Sequence, residues 1–394
     1  MASADQPAAA SCWQPIPLPS MTHCDLATTT NGDCLASTRD FVARVEPAGS
    51  ARWLIRNEPP RVGGLIALAT GHLARAEGDT LTIRNDNDGS VYAAWPARGL
   101  TALVGGPEGS LFYLQHDEAQ SFLISTSTAG AVNWQCQLPA RPTSAPLVLD
   151  DLILVCVGPR IHAYSLAGQS TWVADRHGFH PPPRPEVPLP IAPRPGTDTT
   201  RIGGQLTAIG SDLLLTEITT ANGRNLHLVD LRAATVRPIT APIALHGPAT
   251  PVHSPSSPPH VALLGPTTAT AATAQWTIVL ANLSGHVLWT HSTSLQPRSL
   301  HSDGRGQLFA ACSTSLDEWR KYRPETAGLV YCLGIDGRPQ WTLPLAEPLV
   351  GSPILGSRGH LYLPTVTGLL TVAPAATPTP IGGARVANTC TDAS

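Results

Sequence analysis

Apolar residues in this chain come in short runs that turn residues interrupt. The run at Ser352-Pro-Ile-Leu is followed by Gly359-His-Leu-Tyr-Leu363 and then by Gly368-Leu-Leu-Thr-Val372, which predicts three consecutive short strands. First-strand copies recur at Ser144-Ala-Pro-Leu-Val148 and Ala249-Thr-Pro-Val252. Second-strand copies recur at Gly71-His-Leu-Ala74, Gly109-Ser-Leu-Phe-Tyr113, Leu152-Ile-Leu-Val-Cys156 and Gly306-Gln-Leu-Phe-Ala310. Third-strand copies stand at Ile161-His-Ala-Tyr164 and Leu329-Val-Tyr-Cys-Leu333. No long stretch has helical periodicity. No run approaches the roughly 18 apolar residues of a membrane helix.

A turn signature closes each group of strands. A strand-like run leads to Gly, three residues, then Trp, at Gly49 to Trp53, Gly130 to Trp134, Gly168 to Trp172, Gly285 to Trp289 and Gly337 to Trp341. A looser copy runs from Gly89 to Trp95. The first tryptophans are spaced by 42, 39 and 38 residues along Trp53, Trp95, Trp134 and Trp172. A degenerate copy without its Trp lies at Leu226-His-Leu-Val-Asp-Leu-Arg-Ala-Ala-Thr-Val-Arg-Pro238. Four short strands per 40 to 50 residues is the length of a propeller blade. A single blade cannot bury both its faces, and stacked blades can. The turn Gly is expected to supply a positive φ. The Trp is expected to wedge between blades with its N–H bonded.

Together, Ser-Pro-x-x, Gly-x-Leu-Tyr and Gly-x-x-x-Trp resemble the PQQ-like (quinoprotein-type) repeat family, over about residues 41–374. That family includes quinoprotein alcohol dehydrogenases and non-catalytic propellers such as the bacterial outer-membrane assembly lipoprotein. The expected fold is all-β, a propeller of four-stranded antiparallel blades. Seven units start near Arg61, Gly99, Thr143, Arg201, Gly247, Arg298 and Val350, so seven blades are predicted, with eight as the alternative usual for the family. A spare N-terminal strand within 41–57 is expected to close the last blade. The implied organisation is an extended Cys/Pro/Thr-rich segment 1–40, a propeller 41–374 and a C-terminal tail 375–394.

Composition narrows the function. Only 13% of residues are charged, against the usual share of about 25%, and the formal charge is −3. Nothing here attracts nucleic acid. Lys321 is the sole lysine in the chain. The even count of eight cysteines, with no CxxC or CxxCH spacing, suggests at least one disulfide and an exported protein, periplasmic or extracellular. The start of the chain has no basic and apolar signal-peptide pattern.

The long insertions all fall between second and third strands or after a fourth strand: 177–200, 219–225, 265–274 and 313–328. Propeller geometry puts those connections on one face, so the binding surface is expected there. Its candidates are His177 and His180 in the Pro-rich insertion, and Trp319, Arg320, Tyr322 and Arg323 in the densest charge cluster. Trp319 and Tyr322 are spaced to share a helix face. His246, His253 and His301 lie near first-strand starts and are the candidate metal ligands. Asn85-Asp-Asn-Asp-Gly89 has some calcium-loop character but lacks the bidentate Glu, and a polar turn is the simpler reading.

No cofactor is assigned, and a metal ion is the candidate. The adjacent-cysteine pair of the quinone enzymes is missing, which disfavours PQQ. Catalytic residues are not identified. The leading expectation is an exported, monomeric binding scaffold engaging a protein, peptide or glycan on the loop-rich face. The alternative is an enzyme (metal-dependent, lyase, cyclase or hydrolase) with its site at the mouth of the central channel. A PQQ-dependent oxidoreductase ranks third.

Overall fold

The computed structural model describes residues 13–18, 21, 23–56, 64–117, 120–182, 201–202, 206–220, 223–241, 243–255, 257–266 and 275–372. They form eight antiparallel sheets, six of them threaded in chain order; in the sheet of 201–239 two short strands pair with one, and the last sheet takes in the N-terminal strand. The sheets span 25–56, 65–96, 100–138, 147–180, 201–239, 250–293, 297–345, and 354–372 with 13–17. This is an all-β propeller of eight blades.

The count corrects the expectation of seven. Phe41–Val45 and Ala51–Arg56 do not close the last blade. They are the third and fourth strands of a complete extra blade, whose first two strands are Asp25–Thr28 and Cys34–Ser37. Those two strands have four residues each, too short to register as apolar runs. Their hairpin is set by Asn31-Gly32, with Gly32 at φ 86 and its N–H donated to the Thr29 carbonyl at 3.0 Å. The strand that pairs with the final hairpin is Trp13–Pro17, in register from Trp13 opposite Val372 to Pro17 opposite Gly368.

The chain divides into two compact units. One holds the described residues within 13–67, 86–89 and 243–372, and the other those within 68–85 and 90–241. In both, the middle strands are buried on both faces. In the second unit, Ile153 and Val155 pack with Phe112, Leu114 and Leu123, while the intervening Leu154 and Cys156 pack with Leu214, Ile218 and Val229. In the first unit, Leu308 and Ala310 face Val252, Ile278 and Leu280. Phe309 and Ala311 face Leu361 and Leu363. Period-two alternation sends successive side chains to opposite neighbours, so an unbroken apolar run is what such a strand needs. Each large side chain so buried contributes about 1.5–3 kcal/mol.

The Gly-x-x-x-Trp signature makes the joint between blades. Trp53 donates its indole N–H to the Asp86 carbonyl at 2.8 Å, Trp134 to Leu166 at 2.8 Å and Trp289 to Ile335 at 2.9 Å. Each ring lies against the turn glycine of the next blade: Trp53 on Gly89, Trp95 on Gly130, Trp134 on Gly168 and Trp289 on Gly337. All four glycines have positive φ, between 73 and 86.

The degenerate blade breaks this scheme. Its turn carries Ala234 at φ 52 where others have Gly. Trp172, in the blade before it, stacks at 4.7 Å on Phe179, which lies on an added fifth strand, Gly178–His180. Both rings join the apolar cluster that contains Val229 and Val236 of the degenerate blade.

The turn with calcium-loop character has a structural use. Arg44, 1% exposed, bonds through Nε to Asp33 Oδ2 at 2.7 Å and through Nη1 to the Asp86 carbonyl at 2.6 Å. Nη1 also pairs with the Asp86 carboxylate. Asp86 thus neutralises a buried guanidinium.

The disulfide expectation is also corrected for the described residues. Cys24, Cys34, Cys136, Cys156, Cys312 and Cys332 are in no disulfide, and five of them are buried. They behave as small apolar core residues. Cys12, Cys390 and the tail 375–394 lie outside the described residues.

Candidate binding surface

The best-formed candidate is the insertion between Leu308–Ser313 and Gly328–Leu333, the second and third strands of their blade. It holds one helix, α1, at Leu316–Tyr322. Seven residues are too few to hold a helix in water unaided, and none of them is buried. Local bonds hold it instead. Ser315 Oγ accepts from the Glu318 N–H at 3.2 Å, and Glu318 Oε2 accepts from the Ser315 N–H at 3.1 Å, a reciprocal capping box. These bonds, with Arg298 adding its charge, hold the Glu318 carboxyl below its ordinary range.

The other end is pinned by aromatic contacts. Trp319 Nε1–H donates to the Ala346 carbonyl at 3.1 Å, just past the fourth strand of the same blade. Arg323 caps the helix at φ 47, and its guanidinium lies 4.0 Å from the Trp319 ring centre. Lys321 Nζ lies 4.8 Å from the ring centre of Tyr322, which is 66% exposed. The base of the insertion is tied by Thr314 N–H to the Ala327 carbonyl and by Ala327 N–H to Leu345. Trp319 and Arg323 are thus in contact, and Arg320 and Tyr322 stand on the same helix.

Further along the same unit, the His246 ring packs on Trp276 at 4.7 Å, and its Nε2 is 3.1 Å from Gln296 Nε2. Gln296 in turn accepts the Ser313 N–H on its carbonyl at 2.9 Å, which links this aromatic pair to the root of the helix insertion. Trp276 and Gln296 were not singled out from the sequence. The signal was available, since Trp276 stands outside every Gly-x-x-x-Trp copy.

The metal candidates are placed separately. His246 is exposed on Trp276, whereas His253 and His301 lie on the first strands Thr250–Ser254 and Pro297–Ser302. Burial pushes His301 down to about 4, against a hydrogen bond to the Pro353 backbone, and burial also lowers His253. Among the described residues, no three His, Cys, Asp or Glu side chains gather as a metal site.

His177 and His180 belong to the other unit, on the hairpin that adds the fifth strand. Asp175 Oδ1 accepts the His177 N–H at 2.8 Å and lies 3.2 Å from His180 Nε2. Burial raises the Asp175 carboxyl, but these contacts outweigh it and leave it lowered. His177, through its backbone, and His180, through its ring, thus both meet Asp175 at this hairpin. The Pro-rich residues 183–200 that follow lie outside the described residues.

The architecture defines a class, the β-propellers, and solved structures agree. The chain is similar to BamB from Moraxella catarrhalis, with a TM-score of 0.60 at 14% identity, covering 92% of this chain and 97% of that one. It is similar to the WD40 domain of SCAP from fission yeast, with a TM-score of 0.54 at 12% identity, covering 91% and 97%. It is similar to KlHsv2 carrying a Gly-Ser linker in place of loop 6CD, with a TM-score of 0.52 at 9% identity, covering 83% and 98%. At these identities the likeness is one of fold. No protein-family model matches the chain, and no curated protein matches it in sequence. The quinoprotein-type repeat resemblance is thus matched at the level of the propeller fold.

Proposed function

We propose that this chain is a non-catalytic propeller scaffold that binds a protein or peptide at the end of the blades carrying the long connections. The observation that supports it is the α1 insertion. An exposed seven-residue helix is held in one geometry by a capping box, an indole anchor and a stacked guanidinium, while burying none of its own residues. Ordering side chains without burial costs conformational entropy. A preorganised contact surface is the return on that cost. A peptide suits the surface better than a glycan, because Arg323 already covers Trp319 and Tyr322 is the one open ring on the helix.

Export to the periplasm or cell exterior and a monomeric state belong to the same reading. Fractionation of the source cells and light scattering of the purified chain test them. The binding reading is tested by selecting peptides from a random library on the immobilised chain. Selected ligands should be lost with Tyr322→Ala and Trp319→Ala. Loss with Asp336→Ala, in the tight turn at the opposite end of the same blade, and retention with the helix variants would overturn the assignment.

A further inference from the structure

We infer that α1 is a receptor for an acidic peptide segment, with Arg320, Lys321 and Arg323 supplying the charge and Tyr322 the open ring. This deepens the proposed function by naming the chemistry of its partner, and it rests on that reading. The charge arrangement carries it. Arg320, Lys321 and Arg323 are all exposed, and no carboxylate pairs with any of them among the described residues. Glu318, one of the two acids in the first turn of the helix, is engaged elsewhere. It accepts from Ser315 N–H and Oγ–H, at 3.1 and 2.9 Å, and lies in the field of Arg298. The cations therefore present unmatched charge at the C-terminal half of the helix, where the helix dipole favours them.

Their positions are also fixed. Arg323 is stacked on a Trp319 ring that is itself bonded to Ala346. A guanidinium held over an indole can still direct N–H groups outward to a carboxylate. Asp317 and Glu325 flank the cations in the same segment. A flat anionic membrane would meet these acids together with the cations. A narrow acidic chain can lie over the last turn, where Arg320 and Lys321 stand, without spanning the first turn that holds Asp317. That contrast favours a peptide over a lipid surface.

The sole lysine makes the test specific. The probe is a short fluorescein-labelled peptide of alternating Asp and Glu around one Phe, and the control is its Asn/Gln isostere. With the full chain, fluorescence anisotropy should report binding of the acidic probe at low salt that weakens as salt rises. The isostere should bind at least about tenfold more weakly. Arg320→Glu with Arg323→Glu should weaken the acidic probe by about tenfold or more. Both residues are exposed, and unchanged far-UV dichroism would show the variant folded. Carbodiimide treatment of the complex should form an amide between a probe carboxylate and Lys321 Nζ, located by peptide mass mapping. Lys321→Arg should keep the binding and lose that amide.

Equal binding of the isostere, an unaffected Arg320→Glu/Arg323→Glu variant, or capture by phosphatidylglycerol vesicles through the same residues without peptide binding would each overturn the proposal. If the acidic probe fails while library-selected peptides bind and are lost with Tyr322→Ala, the acidic chemistry is wrong and the scaffold reading stands. If no selected peptide binds either, both fall.

Discussion

Adding one methyl group at Gly168 tests the idea that the turn glycine is a socket for the preceding tryptophan. A Cβ there would stand 2.6 Å from Trp134 Cδ2 and 2.8 Å from Cε3, closer than side chains tolerate. The backbone is at φ 81, so alanine also meets left-handed strain. Gly71 isolates that second effect. Its φ is 75, yet nothing lies within 4 Å of its Cβ position. Gly71→Ala should therefore cost about 1–2 kcal/mol, from backbone strain alone. Gly168→Ala should cost about 2–5 kcal/mol, because overpacking adds about 1–3 kcal/mol. Urea unfolding followed by far-UV dichroism measures both. A third variant closes the argument. In a Trp134→Ala background the ring is gone, so Gly168→Ala should fall back to the Gly71→Ala cost. Equal costs at Gly168 and Gly71 in the wild-type background, or an undiminished cost without the ring, would refute the socket.

Three further outcomes follow from buried groups. Arg44→Met strands the Asp86 carboxylate, leaves Asp33 only its longer contact with Arg52 at 3.6 Å, and should destabilise by about 3–5 kcal/mol in the same urea assay; a cost under about 1 kcal/mol would mean that solvent already screens the network. His162, 4% exposed, is pushed down to about 4 by burial and by Arg160. The unfolded imidazole takes up its proton near 6.5 and the folded one resists until about 4, so stability present at neutral pH is lost as pH falls across that window, by about 3 kcal/mol. His162→Leu should flatten this part of the pH profile, and an unchanged slope would point to other groups. Burial pushes the thiols of Cys156 and Cys312 up to about 12, so a thiol reagent at mildly alkaline pH should spare them in the native chain and, without reductant, find at least six thiols after denaturation.

Legibility in the sequence followed how much of each blade is dictated by packing. The second and third strands were readable because both faces are buried: Leu152–Val157 must be apolar throughout to serve Phe112 on one side and Leu214 on the other. The Gly-x-x-x-Trp joints were readable because a positive φ and an indole socket admit few residue types. The first blade was missed because Asp25–Thr28 and Cys34–Ser37 are short and hold buried Asp25 and Ser37 among their apolar residues. Asn31-Gly32 was the one strong hairpin signal there, and it outweighs the weak hydrophobic pattern around it.

The candidate site stands out in the sequence for a different reason. Its residues break the rules the rest of the chain obeys. Six of the nine tryptophans are the repeat tryptophans that end the Gly-to-Trp turns, and only Trp13, Trp276 and Trp319 are not. Trp319 anchors α1 and Trp276 carries His246. A repeat protein spends its aromatic residues on the joints between units, because a large ring fills a recurring socket. An indole off the repeat has no socket to fill, so its position must be set by something local. At Trp319 that is the docked helix with its unmatched cations. The histidines near the first strands lack that signal: His253 and His301 lie half-buried on strands of the repeat itself.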